Sequence, residues 1–130
     1  MRRDAYAACL TVLLDYQDGI EDILNRWETG AVDLQAEEDR LTDLRRAVRR
    51  AISVVSLEGP EELIGSLQQV VVYYSLLSTF VLSETSEVLA LPAAAERQER
   101  ARRLRRSDVS KNARSAITAF EAAARDVLDG

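Results

Sequence analysis

Residues 63–83 read LIGSLQQVVVYYSLLSTFVLS, 21 consecutive positions without a charged side chain. Three structures suit such a run: a membrane span, a buried strand, or the most buried helix of a soluble bundle. A spanning helix wants about 20 mostly apolar residues and Lys or Arg on its cytoplasmic side. Here Gly65, Gln68, Gln69 and five Ser/Thr interrupt the run, and its flanks are acidic: Glu61, Glu62, Glu84 and Glu87. Val70-Val71-Val72-Tyr73-Tyr74 is locally strand-like, but no second run exists to pair with it, and a lone strand leaves its backbone unsatisfied. Leu63, Leu67, Val70, Tyr74, Leu77, Val81 and Val88 recur at the three-and-four spacing of one helix face, with Glu84 in the same register. Ile64, Val71, Tyr73, Leu76 and Phe80 extend apolar character around most of the circumference, which predicts a helix packed on several sides.

The same period appears on both sides of this segment. Upstream, Tyr6, Cys9, Leu13, Tyr16, Ile20, Ile23 and Trp27 form one seam, widened by Leu10 and Leu24, and Gly30 suits its end. Asp33 suits the cap of a second helix with Leu34, Leu41, Leu44, Val48, Ile52 and Val55 as its seam. Acidic residues crowd that helix's start and Arg45, Arg46, Arg49 and Arg50 its later half, an order that complements the helix dipole. Gly59-Pro60 punctuates the chain before the uncharged run. Downstream, Leu91-Pro92 forces a break. Residues 93–106 begin acidic and end in Arg102, Arg103, Arg105 and Arg106, with Leu104 their single large apolar residue. That segment reads as weakly anchored, either a mobile arm or a rigid extension of the last helix. Ser107 and Asp108 start a fresh helix seamed by Val109, Ala113, Ile117, Phe120, Ala124 and Val127. The expectation is all-α: an antiparallel four-helix bundle in one domain spanning 1–130. Its helices run about 3–28, 33–57, 60–90 and 108–128, the last preceded by a short basic helical segment at 93–106.

Composition narrows the chemistry. The 130 residues contain no His and one Cys, which removes imidazole ligands, His bases, intramolecular disulfides and Cys-based zinc sites. A lone Cys9, and an N-terminus in which Asp4 interrupts any apolar signal region, predict a cytoplasmic protein. The net charge of −5 is unevenly laid out: residues 1–44 carry four basic and eleven acidic side chains, and residues 92–130 nine basic and six acidic. Sixteen of the seventeen cations are Arg, beside 18 Ala and 17 Leu, a bias of GC-rich codons that weakens Arg content as a sign of phosphate binding.

Asp15, Asp18, Glu21 and Asp22 have the oxygen ligands a Mg²⁺ site needs. Asp15, Asp18 and Asp22 fall opposite the seam, so they read as a solvated acidic face and no metal site is predicted. Glu37 and Glu84 are the two carboxylates on seam positions, close enough to helix ends to reach water; an acid–base pair would need their environments to differ. Tyr6, Tyr16, Tyr73, Tyr74 and Trp27 read as packing residues. No phosphate loop, nucleophile elbow or zinc motif is present, so no catalytic residue and no cofactor are predicted. The cluster Arg97, Arg100, Arg102, Arg103, Arg105 and Arg106, followed by Lys111 and Arg114, is the candidate partner-binding site, since Arg forks suit carboxylates and phosphates. Part of it is expected to pair with the protein's own acidic helices. The Arg at 45–50 are expected to face the acidic first helix.

The landmarks Arg3-Asp4-Ala5-Tyr6 with Leu10, Leu57-Glu58-Gly59-Pro60, and Phe120 with Ala123-Ala124-Arg125 and Leu128 resemble those of short, stand-alone, uncharacterised helical-bundle proteins of high-GC bacteria. More remotely, the layout of Trp27, Leu44 and Leu57-Gly59-Pro60 resembles small helical proteins encoded beside caspase-like bacterial conflict systems. Both resemblances imply a helical accessory protein, phage- or defence-associated, and neither brings a catalytic residue or ligand. The functional expectation is a non-enzymatic protein-interaction module that self-associates or docks on a protein partner, without a membrane. The alternative is a nucleic-acid-associated regulator using Arg-rich residues 97–114, although no aromatic stacking residue lies between 81 and 119.

Overall fold

The computed structural model describes residues 2–30, 32–58 and 61–129, and of Arg2 and Glu58 only the backbone. Five helices account for nearly all of them: α1 (Arg2–Thr29), α2 (Leu34–Glu58), α3 (Glu61–Leu89), α4 (Ala94–Arg106) and α5 (Asp108–Asp129). There is no strand among the described residues. The stop read at Gly59-Pro60 lies outside them.

Local chemistry sets the helix ends. Gly30 adopts φ 76°, a left-handed conformation that costs glycine little, and its N–H reaches Arg26 O at 2.9 Å to close α1. Asp33 Oδ1 accepts from the N–H groups of Gln35 (3.1 Å) and Ala36 (3.3 Å), the capping that opens α2. Ser107, with ψ 157°, separates α4 from α5 and serves both. Its backbone N–H and hydroxyl donate to Leu104 O at 3.1 and 2.6 Å, and its Oγ accepts from Ser110 N at 3.3 Å.

Every residue of the α1 seam is buried, as is every apolar seam residue of α3, and Phe120 and Trp27 are fully enclosed. Cross-helix pairs give the arrangement. Arg26 meets Glu37 at 2.6 Å and Asp22 meets Arg40 at 3.8 Å, so residue order reverses between α1 and α2. Between them, a Cβ on Gly19 would come within 2.7 Å of Leu44 Cδ1, so glycine lets the two helices approach closely there. Tyr16 shares a hydrogen bond with Ser78, and Trp27 with Thr85, so order is preserved between α1 and α3.

Three local expectations are corrected. The seam of α3 passes through Thr85, fully buried, while Glu84 is half-buried: from Val81 the pattern can step three or four, and the indole of Trp27 selects the hydroxyl. Glu37 does not reach water; it is 4% exposed, and the Arg26 guanidinium supplies the partner that a buried carboxylate requires. The Arg at 45–50 face α1 in part but do not pair with it: Arg45 and Arg49 share a groove with Leu13 and Tyr16 of α1, Arg46 reaches Asp43 on its own helix at 3.9 Å, and Arg45, Arg49 and Arg50 make no ion pair among the described residues.

Candidate interaction surface

The basic segment 97–106 is a docked helix. Its apolar anchors are Ala101 and Leu104, both buried, and its arginines hold it in place. Arg97 donates to Leu91 O at 2.9 Å, tying down the turn that follows α3. Arg100 pairs with Glu87 of α3 at 3.0 Å. Arg105 spans three α1 side chains, Glu21 at 3.0 Å, Glu28 at 3.2 Å and Asn25 at 2.7 Å. Those acceptors are spaced four and three apart, one above another on a helix face, so a planar fork can meet them together. Arg102 pairs along its own helix with Glu99 at 2.9 Å. Of the six arginines singled out from the sequence, Arg103 and Arg106 alone have no such partner among the described residues, and both are exposed. The structure thus brings Arg97, Arg100 and Arg105 to the protein's own carboxylates and carbonyls.

A second surface was not singled out in the sequence. Val72, Leu76 and Phe80, at successive steps of four on α3, are 54%, 47% and 44% exposed. Val71 beside them is 37% exposed. α3 is packed on several sides as expected, against α1, α2, α4 and α5, but this one stripe of it is left uncovered. A groove of about 660 Å³ runs along one edge of the stripe, lined by Arg49, Ile52, Ser53, Gln68, Val71 and Val72. A smaller one of about 280 Å³ runs along the other, where Phe80, Leu104 and Val109 meet Glu84, Arg100 and Arg103. The exposed stripe is therefore uncharged along its length and edged by Arg49 on one side and by Glu84, Arg100 and Arg103 on the other; Arg49 and Arg103 make no ion pair among the described residues. Among the described residues, α3 is the one helix long and apolar enough to cross a membrane by length and composition, and 33% of its most apolar window is buried in the fold.

The interior polar groups are unevenly satisfied: Tyr16 and Ser78 are hydrogen-bonded, whereas the buried hydroxyls of Tyr6 and Tyr74 have no partner among the described residues. The rings of Tyr16 and Tyr74 meet edge to face, centroids 5.6 Å apart. Ser78 Oγ donates to Tyr74 O at 2.8 Å, leaving it to accept from the Tyr16 hydroxyl. Burial pushes the Tyr16 phenol up, with the Ser78 hydrogen bond and the Arg45 charge pulling partly back, and pushes Tyr74 up to about 12. Burial likewise pushes the Cys9 thiol up to about 11. These groups stay protonated at neutral pH, which is the opposite of an activated nucleophile.

Among the described residues no group of three His, Cys, Asp or Glu side chains is placed to hold a metal ion. Glu21 and Asp22 turn to arginines of neighbouring helices. No family model, no curated protein and no solved structure matches the chain.

Proposed function

We infer that this chain is a non-enzymatic helical accessory module whose business is protein contact. In this reading it is a single-domain antiparallel four-helix bundle, α4 and α5 together forming the fourth leg, and it works in the bacterial cytoplasm. The reversed order of pairs between α1 and α2, and the preserved order between α1 and α3, support that topology.

The observation that carries the reading is the stripe Val72, Leu76, Phe80. The apolar seam residues of α3 find cover within the chain, and these three do not. Single exposed apolar residues are ordinary, whereas a row of them beside grooves marks a contact site. Suppressed ionisation of Cys9, Tyr16 and Tyr74 supports the non-enzymatic half of the proposal. The nucleic-acid alternative draws on fewer cations than the sequence suggested, because Arg97, Arg100 and Arg105 are occupied.

The test is affinity capture from the native host with the natural chain and with Leu76→Asp. Proteins retained by the first and lost from the second support the proposal; identical retention by both removes it.

A further inference from the structure

The outward face of α3 and the flank of α2 beside it are complementary to themselves, and we propose that a second copy of this chain covers them. The two α3 helices pack face to face in opposite directions about a two-fold axis at Leu76. This deepens the contact-module reading and rests on it.

Three observations converge on that occupant. First, the stripe is symmetric: Val72 and Phe80 lie four residues to either side of Leu76, so a two-fold there sets Leu76 on its own copy and Val72 against Phe80. Second, the α2 flank changes sign about the same level. Of the two grooves shared by α2 and α3, one sets Arg49, Ile52 and Ser53 against residues 68–72, and the next sets Arg45, Val48 and Arg49 against residues 70–75. Moving back along α2 therefore moves forward along α3. Glu38 lies seven residues before Arg45, two helical turns away on the same side, and so stands level with Val81 and Leu82. The two-fold at Leu76 exchanges the levels of residues 71 and 81, which brings Arg49 of each copy opposite Glu38 of the other.

Third, both charges are free for that role. Arg49 and Glu38 are exposed, and neither makes an ion pair within the described chain. A stable interface takes roughly 800 Å² from each partner, about a tenth of this chain's 7452 Å². The stripe alone is too narrow for that, so the α2 flank has to belong to the contact.

Sedimentation equilibrium on the full chain tests this. The natural protein is expected at twice the 14.5 kDa of one chain, and Leu76→Asp at one chain's mass with unchanged helical circular dichroism. Arg49→Glu and Glu38→Arg are each expected to weaken association about tenfold, and the double exchange to restore it. A natural chain that stays at single mass through the micromolar range overturns the dimer, as does a dimer indifferent to Leu76→Asp and to the charge exchange. Flotation with vesicles of anionic phosphatidylglycerol, lost on Leu76→Asp in a monomeric chain, assigns the face to a bilayer and overturns it too. A monomer that still captures a host protein through Leu76 ends the dimer and leaves the contact module standing, whereas a monomer with no Leu76-dependent partner ends both.

Discussion

Trp27 Nε1 donates to Thr85 Oγ1 at 3.1 Å in a place where both residues are fully buried, and the same hydroxyl donates to Val81 O at 2.6 Å. One side chain thus satisfies the polar edge of the largest core residue and fastens α1 to α3. Thr85→Val keeps the shape and removes the acceptor, stranding a buried N–H. The expected cost is about 1–3 kcal/mol, with little from Thr85→Ser beyond a lost methyl. Urea unfolding followed by the emission of Trp27, the single tryptophan, measures both.

Arg105 is the clasp of α4. Its guanidinium joins Glu21, Asn25 and Glu28, and a lysine, with a point charge in place of a fork, cannot reproduce that geometry. Arg105→Lys and Arg105→Ala are expected to speed proteolysis within residues 91–107 while the midpoint of global unfolding falls by about 1–2 kcal/mol or less. Equal cleavage in the natural chain and both variants would mean that Ala101 and Leu104 suffice to hold the segment.

Leu76 and Leu77 are neighbours with opposite fates. Leu77 is 5% exposed, so Leu77→Asp buries an unpaired charge and is expected to cost several kcal/mol, on the order of 3–5. Leu76→Asp should leave monomer stability within about 0.5–1 kcal/mol, and Asp18→Ala, on the exposed acidic face, within about 0.5. Thermal melts of the three separate core from surface directly.

Cys9 and Tyr74 give the stability an alkaline limb. Their folded-state values, about 11 and about 12, lie above the ordinary thiol and phenol values of 9.0 and 10.0. Above those ordinary values the unfolded chain loses protons that the folded chain keeps. Stability is therefore full below about pH 9 and falls as pH rises from 9 toward 12. Cys9→Ala should flatten the part of that decline between pH 9 and 11. At neutral pH a thiol reagent should react with Cys9 only as fast as the chain opens.

Much of this fold is legible in the sequence because helix period and burial are both local. Tyr6 through Trp27 announce one buried face by spacing alone, and Asp33 announces a helix start by its chemistry. What the sequence withholds depends on partners distant along the chain. Spacing from Val81 admits residue 84 or 85, and only the position of Trp27 decides between them. Glu37 near a helix end looks wettable until Arg26, eleven residues back, folds over it. Arg105 reads as one cation in a basic run until Glu21, 84 residues away, arrives beside it. The stripe on α3 is the sharpest case. Hydropathy records that Val72, Leu76 and Phe80 favour cover, but not whether this chain has a helix left to provide it.

The central claim is that this uncovered stripe is a working contact surface and that the acidic face of α1 is not. A photo-crosslinking residue placed at Phe80, and separately at Asp18, in the native host tests it most directly. The account predicts a discrete protein adduct from position 80 and none from position 18. An adduct from position 18 with none from position 80 would contradict it.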